Sequence, residues 1–314
     1  MADRRAISIV VPNYNGEGLL RENLPSIFAA LEQWCGEYEI IVVDDCSADG
    51  SCQLIMEWFP DVRLIRNSKN LGFSRSCNAG FREAHYPLGI CINNDVRCEA
   101  GFIAPLLKHF DDATVFAVTP NILAEREGRN QGIVVGLYGK GFIKGGFAPL
   151  HAISGERENL YAIGACVAYD LEKFRALDGF AEIYSPYLFE DVDISYRAWK
   201  RGWRSIYESG ATVFHYSSAT IGKARKSSKR TIYFRNRFLF HWINLTDPLF
   251  LFQNIFRTSV RLAVSFLWLD FPYYTAFFGA LGRVGQVMDA RRRVIDHLRL
   301  SDREILQRTG KRIA

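Results

Sequence analysis

Between Ile7 and Asn93 short β-branched runs alternate with longer amphipathic ones, a rhythm that few folds accommodate. Residues 7–11, 39–43, 62–65 and 88–92 read as strands, with helices near 19–34, 51–59 and 74–84 between them. Strands this uniformly apolar have to be covered on both faces, and helical crossovers join parallel neighbours. The pattern therefore predicts an α/β fold, Rossmann-like, with a mostly parallel central sheet flanked by helices. Ligands of such sheets bind outside the carboxyl ends of the strands. Those ends here are Pro12-Asn13-Tyr14-Asn15, Asp44-Asp45-Cys46-Ser47 and Asn93-Asn94-Asp95, polar on all three occasions. Helix capping accounts comfortably for one such cluster and poorly for three.

At 314 residues and 48% hydrophobic, the chain can bury a sizeable core. Its net charge of +5 fits an anionic ligand or membrane surface and is too weak to argue for nucleic acid. None of the seven cysteines forms a CxxC pair, and Cys91 lies in an apolar run, so buried free thiols, a reducing cytoplasm and no metal cluster are expected. The apolar stretch 6–11 that follows Arg4 and Arg5 is too short for a signal peptide, which places the protein in the cytoplasm.

Glycine is dense between residues 128 and 155, predicting a long loop or irregular hairpins over one face, with a lid or a plain linker as its role. Order resumes at 162–169, then a helix from about Leu171, the turn Gly179-Phe180, a helix over 194–200 and strands near 204–207 and 212–215. From Thr231 onward aromatics mix with Arg257, Arg261 and Arg283, broken by Pro248 and Pro272. The longest uncharged run there, 271–282, has 12 residues, short of the about 20 needed to span a bilayer. Helices lying in the membrane interface are one reading; a buried helical subdomain or dimer face, compatible with an oligomer, is the other. The tail 291–314 is basic and reads as an amphipathic helix suited to anionic lipid.

Chemistry concentrates at Glu190, Asp191 and Asp193, three carboxylates within four residues. Acids so close raise one another's pKa and serve as proton acceptor, cation site or helix start. Asp44 and Asp45 offer acceptors for a nucleobase or ribose. The turn Asn70-Leu71-Gly72-Phe73 leads into Ser74, Arg75 and Asn78 at a helix start that favours phosphate. Asp95 can hold a divalent cation on a diphosphate, since substrate and water supply the remaining ligands. His215 reads as a metal or phosphate ligand or as a satisfied structural histidine. The basic run Lys223, Arg225, Lys226, Lys229 and Arg230 reads as solvated, or as closing over a leaving group.

In order along residues 7–240, Pro12-x-Tyr14-Asn15, Val42-Val43-Asp44-Asp45-x-Ser47, Asn70-x-Gly72-Phe73 with Asn78-x-Gly80, Asn93-Asn94-Asp95, Gly164-Ala165-Cys166, Gly179-Phe180 and Phe189-Glu190-Asp191-x-Asp193 resemble the family 2 glycosyltransferases of the GT-A fold. His215 and Tyr233-Phe234-Arg235-Asn236-Arg237 resemble the rhamnosyltransferase-like branch. The resemblance implies a GT-A domain over 1–240, with a nucleotide-binding half 1–100 and an acceptor half 101–240, followed by a C-terminal helical, membrane-associated region 241–314. It implies an inverting, metal-dependent transferase of cell-surface polysaccharide synthesis, peripheral on the cytoplasmic face of the inner membrane. The donor would be a UDP- or dTDP-sugar such as dTDP-rhamnose, and the acceptor a glycan or lipid-linked hydroxyl. By matching position Pro12, Tyr14 and Asp45 hold base and ribose, with Asn15, Asp44, Gly72, Phe73, Asn78 and Asn94 completing the nucleotide-sugar site. Asp95, with His215, holds Mg²⁺ or Mn²⁺; Asp191 is the general base; Glu190 orients the acceptor or tunes Asp191; and Asp193 is a helix-start carboxylate. The family's usual Asp-x-Asp lacks its first carboxylate here, where Asn93 stands. Alternatives are a polyprenyl-phosphate sugar synthase and a catalytically silent nucleotide-sugar-binding scaffold.

Overall fold

A computed structural model describes residues 6–150, 155–216, 226–267 and 269–310. Arg4, Arg5, residues 151–154, Ser217, Ser218, Lys223, Arg225 and the last four residues of the tail lie outside them. The first four strands are β1 (Ile7–Asn13), β2 (Tyr38–Asp44), β3 (Arg63–Arg66) and β4 (Leu88–Ile92). Helices α1 (Glu17–Trp34), α2 (Ser51–Trp58) and α3 (Phe73–Glu83) join them, so every predicted element of this half is present to within two residues. There follow β5 (Val96–Cys98), α4 (Ile103–Leu107), β6 (Val115–Ala124), β7 (Arg129–Gly139), β8 (Phe142–Pro149), β9 (Arg157–Asn159) and β10 (Cys166–Asp170). Then come α5 (Leu171–Ala176), α6 (Glu190–Lys200), β11 (Arg204–His215), α7 (Lys226–Asn244), α8 (Pro248–Ser265), α9 (Phe271–Leu281), α10 (Val284–Asp296) and α11 (Asp302–Thr309).

The sheet runs β3-β2-β1-β4-β10-β6-β11-β5. Its first four strands are parallel, as are β6 and β11, while β10 and β5 run against their neighbours. The mostly parallel central sheet is therefore as expected. Side chains alternate faces along each strand. Ile9 and Val11 enter one buried cluster with Leu20, Leu24 and Ile27 of α1. Val10 and Val43 enter another with Phe81 of α3. Each such side chain, wholly withdrawn from water, contributes about 1.5–3 kcal/mol.

Of the two readings of the glycine-dense stretch, a long loop or hairpins, the hairpin holds. Strands β7 and β8 form one antiparallel hairpin that extends the sheet from β6. Glycine serves close approach there: a Cβ on Gly132 would lie 2.1 Å from the Pro120 carbonyl oxygen. The two strands predicted near 204–207 and 212–215 are a single strand, β11, with a register shift between Glu208 and Thr212. The basic tail forms two helices, α10 and α11. Ser301 ends the break between them with a reciprocal capping box to Glu304.

The C-terminal helices are neither purely surface-lying nor wholly buried. Phe238 of α7, Tyr273 of α9, Val287 of α10 and Ile305 of α11 share a third core with Val134, Ile143 and Trp199. α7 runs through position 240, so this core joins what precedes and follows it. The outer faces of α8 and α9 keep large apolar side chains exposed. No helix among the described residues is long and apolar enough to cross a membrane.

Candidate active site

Parallel pairing brings three strand ends together, and their side chains bond first to each other. Asn13 Nδ2 donates to Asp44 Oδ1 (2.9 Å), and Asn94 Nδ2 donates to Asn13 Oδ1 (2.8 Å). Ser47 N donates to Asp44 Oδ2 (2.9 Å), and Ala48 N donates to Asn15 Oδ1 (2.7 Å). Asp44, Asn15 and Asn94, expected to face the nucleotide, thus hold the floor of the site rigid. Asp45 accepts from Asn67 Nδ2 and Leu71 N at Oδ1 (both 2.8 Å) and from Gly72 N at Oδ2 (2.7 Å). It clamps the turn in which Gly72 adopts φ 85° at the start of α3. The Asn78 amide is spent within the protein: it closes a two-way clasp on Phe180, both bonds 2.9 Å. Pro12 lies beside Val43 in the β1–β2 register, and Tyr14 stays 38% exposed, leaving its ring available to stack.

Asp95 follows β4, and His215 ends β11. The buried Asp95 Oδ1 has no hydrogen-bond partner among the described residues, and His215 Nε2 stands 3.4 Å away, long for a hydrogen bond. Gln131 Nε2 donates to Glu127 Oε2 (3.1 Å), which turns the amide oxygen toward His215 Nδ1 (2.8 Å). That oxygen can only accept, so Nδ1 carries the proton and Nε2 keeps its lone pair in the neutral ring. An open carboxylate oxygen beside an open imidazole nitrogen fits a divalent cation of the Mn²⁺ kind. Gln131 is a supporting residue with no signal in the sequence. A second group, His109, Glu156 and Glu208, gathers three ligand atoms within 4.8 Å, before the bulge of β11. There Lys108 Nζ already lies 2.8 Å from both carboxylates, supplying the positive charge.

The acidic tract opens α6. Leu188 (φ 74°) and Phe189 (φ 80°) precede it in the left-handed region, costing of order 1–3 kcal/mol each. α7 holds this turn in place: Asn236 Nδ2 donates to the carbonyls of Tyr184 (2.7 Å), Tyr187 (3.0 Å) and Leu188 (2.8 Å), and Arg235 Nη2 to that of Ser185 (2.5 Å). Asp191 accepts from Val192 N at Oδ1 (2.8 Å) and Gly164 N at Oδ2 (3.2 Å). A Cβ on Gly164 would stand 3.3 Å from the Phe73 ring and 3.7 Å from Asp191 Cβ, so Phe73 and Asp191 meet over that glycine. The Ala165 carbonyl beside it accepts from Asn93 N (2.9 Å), tying the acid to the strand end that carries Asp95.

The three acids differ. Asp193 is no solvated helix-start carboxylate: it is buried and binds Tyr184 Oη (2.8 Å), Arg197 Nε (2.6 Å) and Asn244 Nδ2 (2.7 Å). Asp191 has its pKa raised by burial, against which its backbone donors act. Glu190 is pushed up to about 8 by burial and then by the Asp191 charge, and its Oε2 has no partner among the described residues. At neutral pH Glu190 keeps its proton, and Asp191 is the one of the two that ionises first. Between the ordinary value of 4.5 and about 8 the unfolded chain releases the Glu190 proton while the folded chain retains it, so stability falls as pH rises. Glu190→Gln, neutral in both states, is expected to melt with wild type near pH 4.5 and several degrees above it by pH 8. Melting curves that stay parallel across this range would refute the assignment.

Residues 8–177, more than half of the 314-residue chain, match Glycosyl transferase family 2, and the protein belongs to that family. It is 23% identical over 244 residues to the N-acetylglucosaminyl-diphospho-decaprenol L-rhamnosyltransferase of Mycobacterium tuberculosis, covering 69% of this chain and 78% of that one. An uncharacterized protein of Sinorhizobium fredii is 26% identical over 245 residues, and there the match spans only 26% of the relative's length. The crystal structure of GalNAc-T7 with UDP, GalNAc and Mn²⁺ superposes with a TM-score of 0.62 at 16% identity, over 79% of this chain and 49% of that one. That likeness establishes the GT-A fold.

Proposed function

We propose that the protein is an inverting glycosyltransferase that moves a sugar from a UDP- or dTDP-linked donor, with dTDP-rhamnose the first candidate, to a lipid-linked acceptor at the membrane surface. The observation that carries this is the placing of Asp191, held by the Gly164 N–H and tied through Ala165 and Asn93 to the strand end that carries Asp95, which stands beside His215. The rhamnosyltransferase relative supports the sugar and the lipid-linked acceptor. The Mn²⁺ bound by GalNAc-T7 supports the cation.

In this reaction the acceptor hydroxyl attacks the anomeric carbon on the side opposite the diphosphate. The new carbon–oxygen bond forms as the bond to the diphosphate breaks, and the hydroxyl proton passes to Asp191. Gly164 N–H and Val192 N–H hold the carboxylate so that its remaining lone pairs face the acceptor. Protonated Glu190 adds no second negative charge beside the attacking oxygen and has a donor to offer the acceptor. Tyr14 stacks on the base, while the Asn13, Asp44 and Asn94 lattice keeps the strand ends from shifting. Asp95 and His215 would hold a divalent cation, whose chemistry is to neutralise the departing diphosphate.

Donor binding tests the reading without chemistry. A ligand present at about 100 times its Kd stabilises the native state by about 2.7 kcal/mol. Among nucleotide sugars, a UDP- or dTDP-sugar is expected to raise the melting temperature in Mn²⁺, and Asp95→Ala to lose the Mn²⁺-dependent part. No shift with any nucleotide sugar would remove the proposal.

A further inference from the structure

One cavity carries an imbalance of charge that the transfer chemistry does not use. It measures 690 Å³ and opens between the tip of the β7–β8 hairpin, the start of α7, and α8 and α9. Lys140, Arg230, Arg257 and Arg261 line it, and Asp270 is the only acid among the lining residues. Asp270 Oδ2 accepts from Arg230 Nη2 at 2.6 Å and lies 3.9 Å from Arg261. Lys140 and Arg257 have no ion-pair partner among the described residues. Arg261 stacks over Phe234 (4.9 Å) and Tyr273 (4.5 Å), which fixes its guanidinium facing the opening.

Beneath the lining ring of Phe142, Arg237 is stacked at 4.2 Å with Nε and Nη2 buried and lacking any hydrogen-bond partner among the described residues. Four cations on the walls and a fifth behind them, against one carboxylate, make a site for a multiply charged anion.

The other wall is apolar. Val260 and Val264 line the cavity, and along the same helix Val260 continues an exposed stripe through Phe256 (55% exposed) and Phe252 (65%). Leu267 and Leu269 beyond the end of α8 are 74% and 64% exposed. A small inorganic anion has no use for such a wall, whereas an anion joined to a long apolar chain does. A chain of ring contacts links the cavity to the start of the acidic helix. Phe189, which starts the acidic helix, packs on Tyr233 (5.7 Å), Tyr233 on Phe234 (5.6 Å), and Phe234 carries Arg230 and Arg261.

We infer that this cavity binds the phosphate group of a membrane-embedded lipid, with the apolar chain lying along the exposed face of α8 in the bilayer surface. Resting on the proposed transfer to a lipid-linked acceptor, the inference places the acceptor's phosphates here and its sugar at Asp191.

Flotation of the full chain with vesicles tests it. Wild type is expected to float with phosphatidylcholine vesicles that carry a polyprenyl phosphate, and to remain behind with phosphatidylcholine alone. Each basic side chain near an anionic surface contributes about fivefold in binding, so reversal of one charge lowers it about 30-fold. Arg257→Glu and, independently, Lys140→Glu are expected to show that loss with unchanged melting temperatures, because both side chains are exposed. Phe252→Ser is expected to weaken flotation too, through the chain and not the charge. Equal flotation of wild type and both reversals overturns the inference, as does equal flotation on phosphatidylcholine alone. Tight binding of inorganic pyrophosphate without flotation overturns it in favour of a free anion. If flotation behaves as expected while no nucleotide sugar binds, the lipid site stands and the transferase reading falls.

Discussion

Asp191→Asn is expected to lower kcat by about 10²- to 10⁴-fold while leaving donor binding unchanged. The amide is nearly the same size, so packing against Phe73 persists, and its one oxygen can keep accepting from one of the two backbone donors, Gly164 N–H or Val192 N–H. What is lost is the acceptor for the hydroxyl proton, a role no other group on this helix can assume. Glu190 holds its own proton, and Asp193 is enclosed by Tyr184, Arg197 and Asn244. Because the Asp191 pKa is raised, the acid limb of the kcat profile should lie above the usual carboxylate value, with activity rising as the base ionises. Single-turnover rates and donor titrations on both proteins separate the two effects. A variant that keeps more than a tenth of wild-type kcat would end the base assignment.

The largest expected loss of stability lies far from the transfer chemistry. Lys200, at the end of α6, is 1% exposed and places Nζ 2.7 Å from Oδ1 of Asp302, which is 0% exposed in α11. Tyr196 Oη donates to the same oxygen (2.6 Å), and the backbone amides of Thr246 and Asp247 donate to Oδ2 (2.8 and 2.7 Å). Burial opposes the Asp302 charge, but Lys200, Tyr196 and the amides outweigh it, holding the carboxyl below its ordinary value. Lys200 is likewise held below its ordinary value, by burial, with Asp302 opposing.

Lys200→Met should therefore cost about 3–5 kcal/mol, since it leaves a buried carboxylate without its cation. Asp302 adds stability that is present above its unfolded pKa near 3.8 and lost as pH falls through its lower folded value, so the cost should shrink in acid. Denaturant midpoints at neutral and low pH measure this. A cost below 1 kcal/mol at neutral pH would show that the pair is not the tie between α6 and the C-terminal helices. Deletion of residues 245–314 is expected to destabilise the remainder as well, because it removes the partner of Lys200 and part of the third core.

The sequence disclosed more of the frame than of the roles. Strands β1 to β4 and their crossovers were legible because each depends on local periodicity and on β-branched runs long enough to be buried on both faces. The acid-bearing start of α6 was legible as a cluster. The division of labour inside it was not, since Asp193 is neutralised by Tyr184, Arg197 and Asn244, the last from a helix about fifty residues further on. Asn78 read as a phosphate-binding side chain at a helix start, yet its amide is spent on Phe180 across the fold. Gln131 fixes the His215 tautomer from a stretch that glycine content left open between a loop and a hairpin, because glycines that admit close packing and glycines that loosen a chain look alike in one dimension.

What this chain determined by itself was the α/β order, the polar strand ends and the family, all carried by short-range spacing. Only the tertiary structure decided which polar groups are occupied with one another and which are left open. Asp44, Asn15 and Asn94 satisfy their neighbours, while Asp95, His215, Asp191 and the cations around Phe142 keep unspent capacity. A side chain's type sets how many bonds it can make. Burial and the partners brought to it across the fold set how many remain for a ligand.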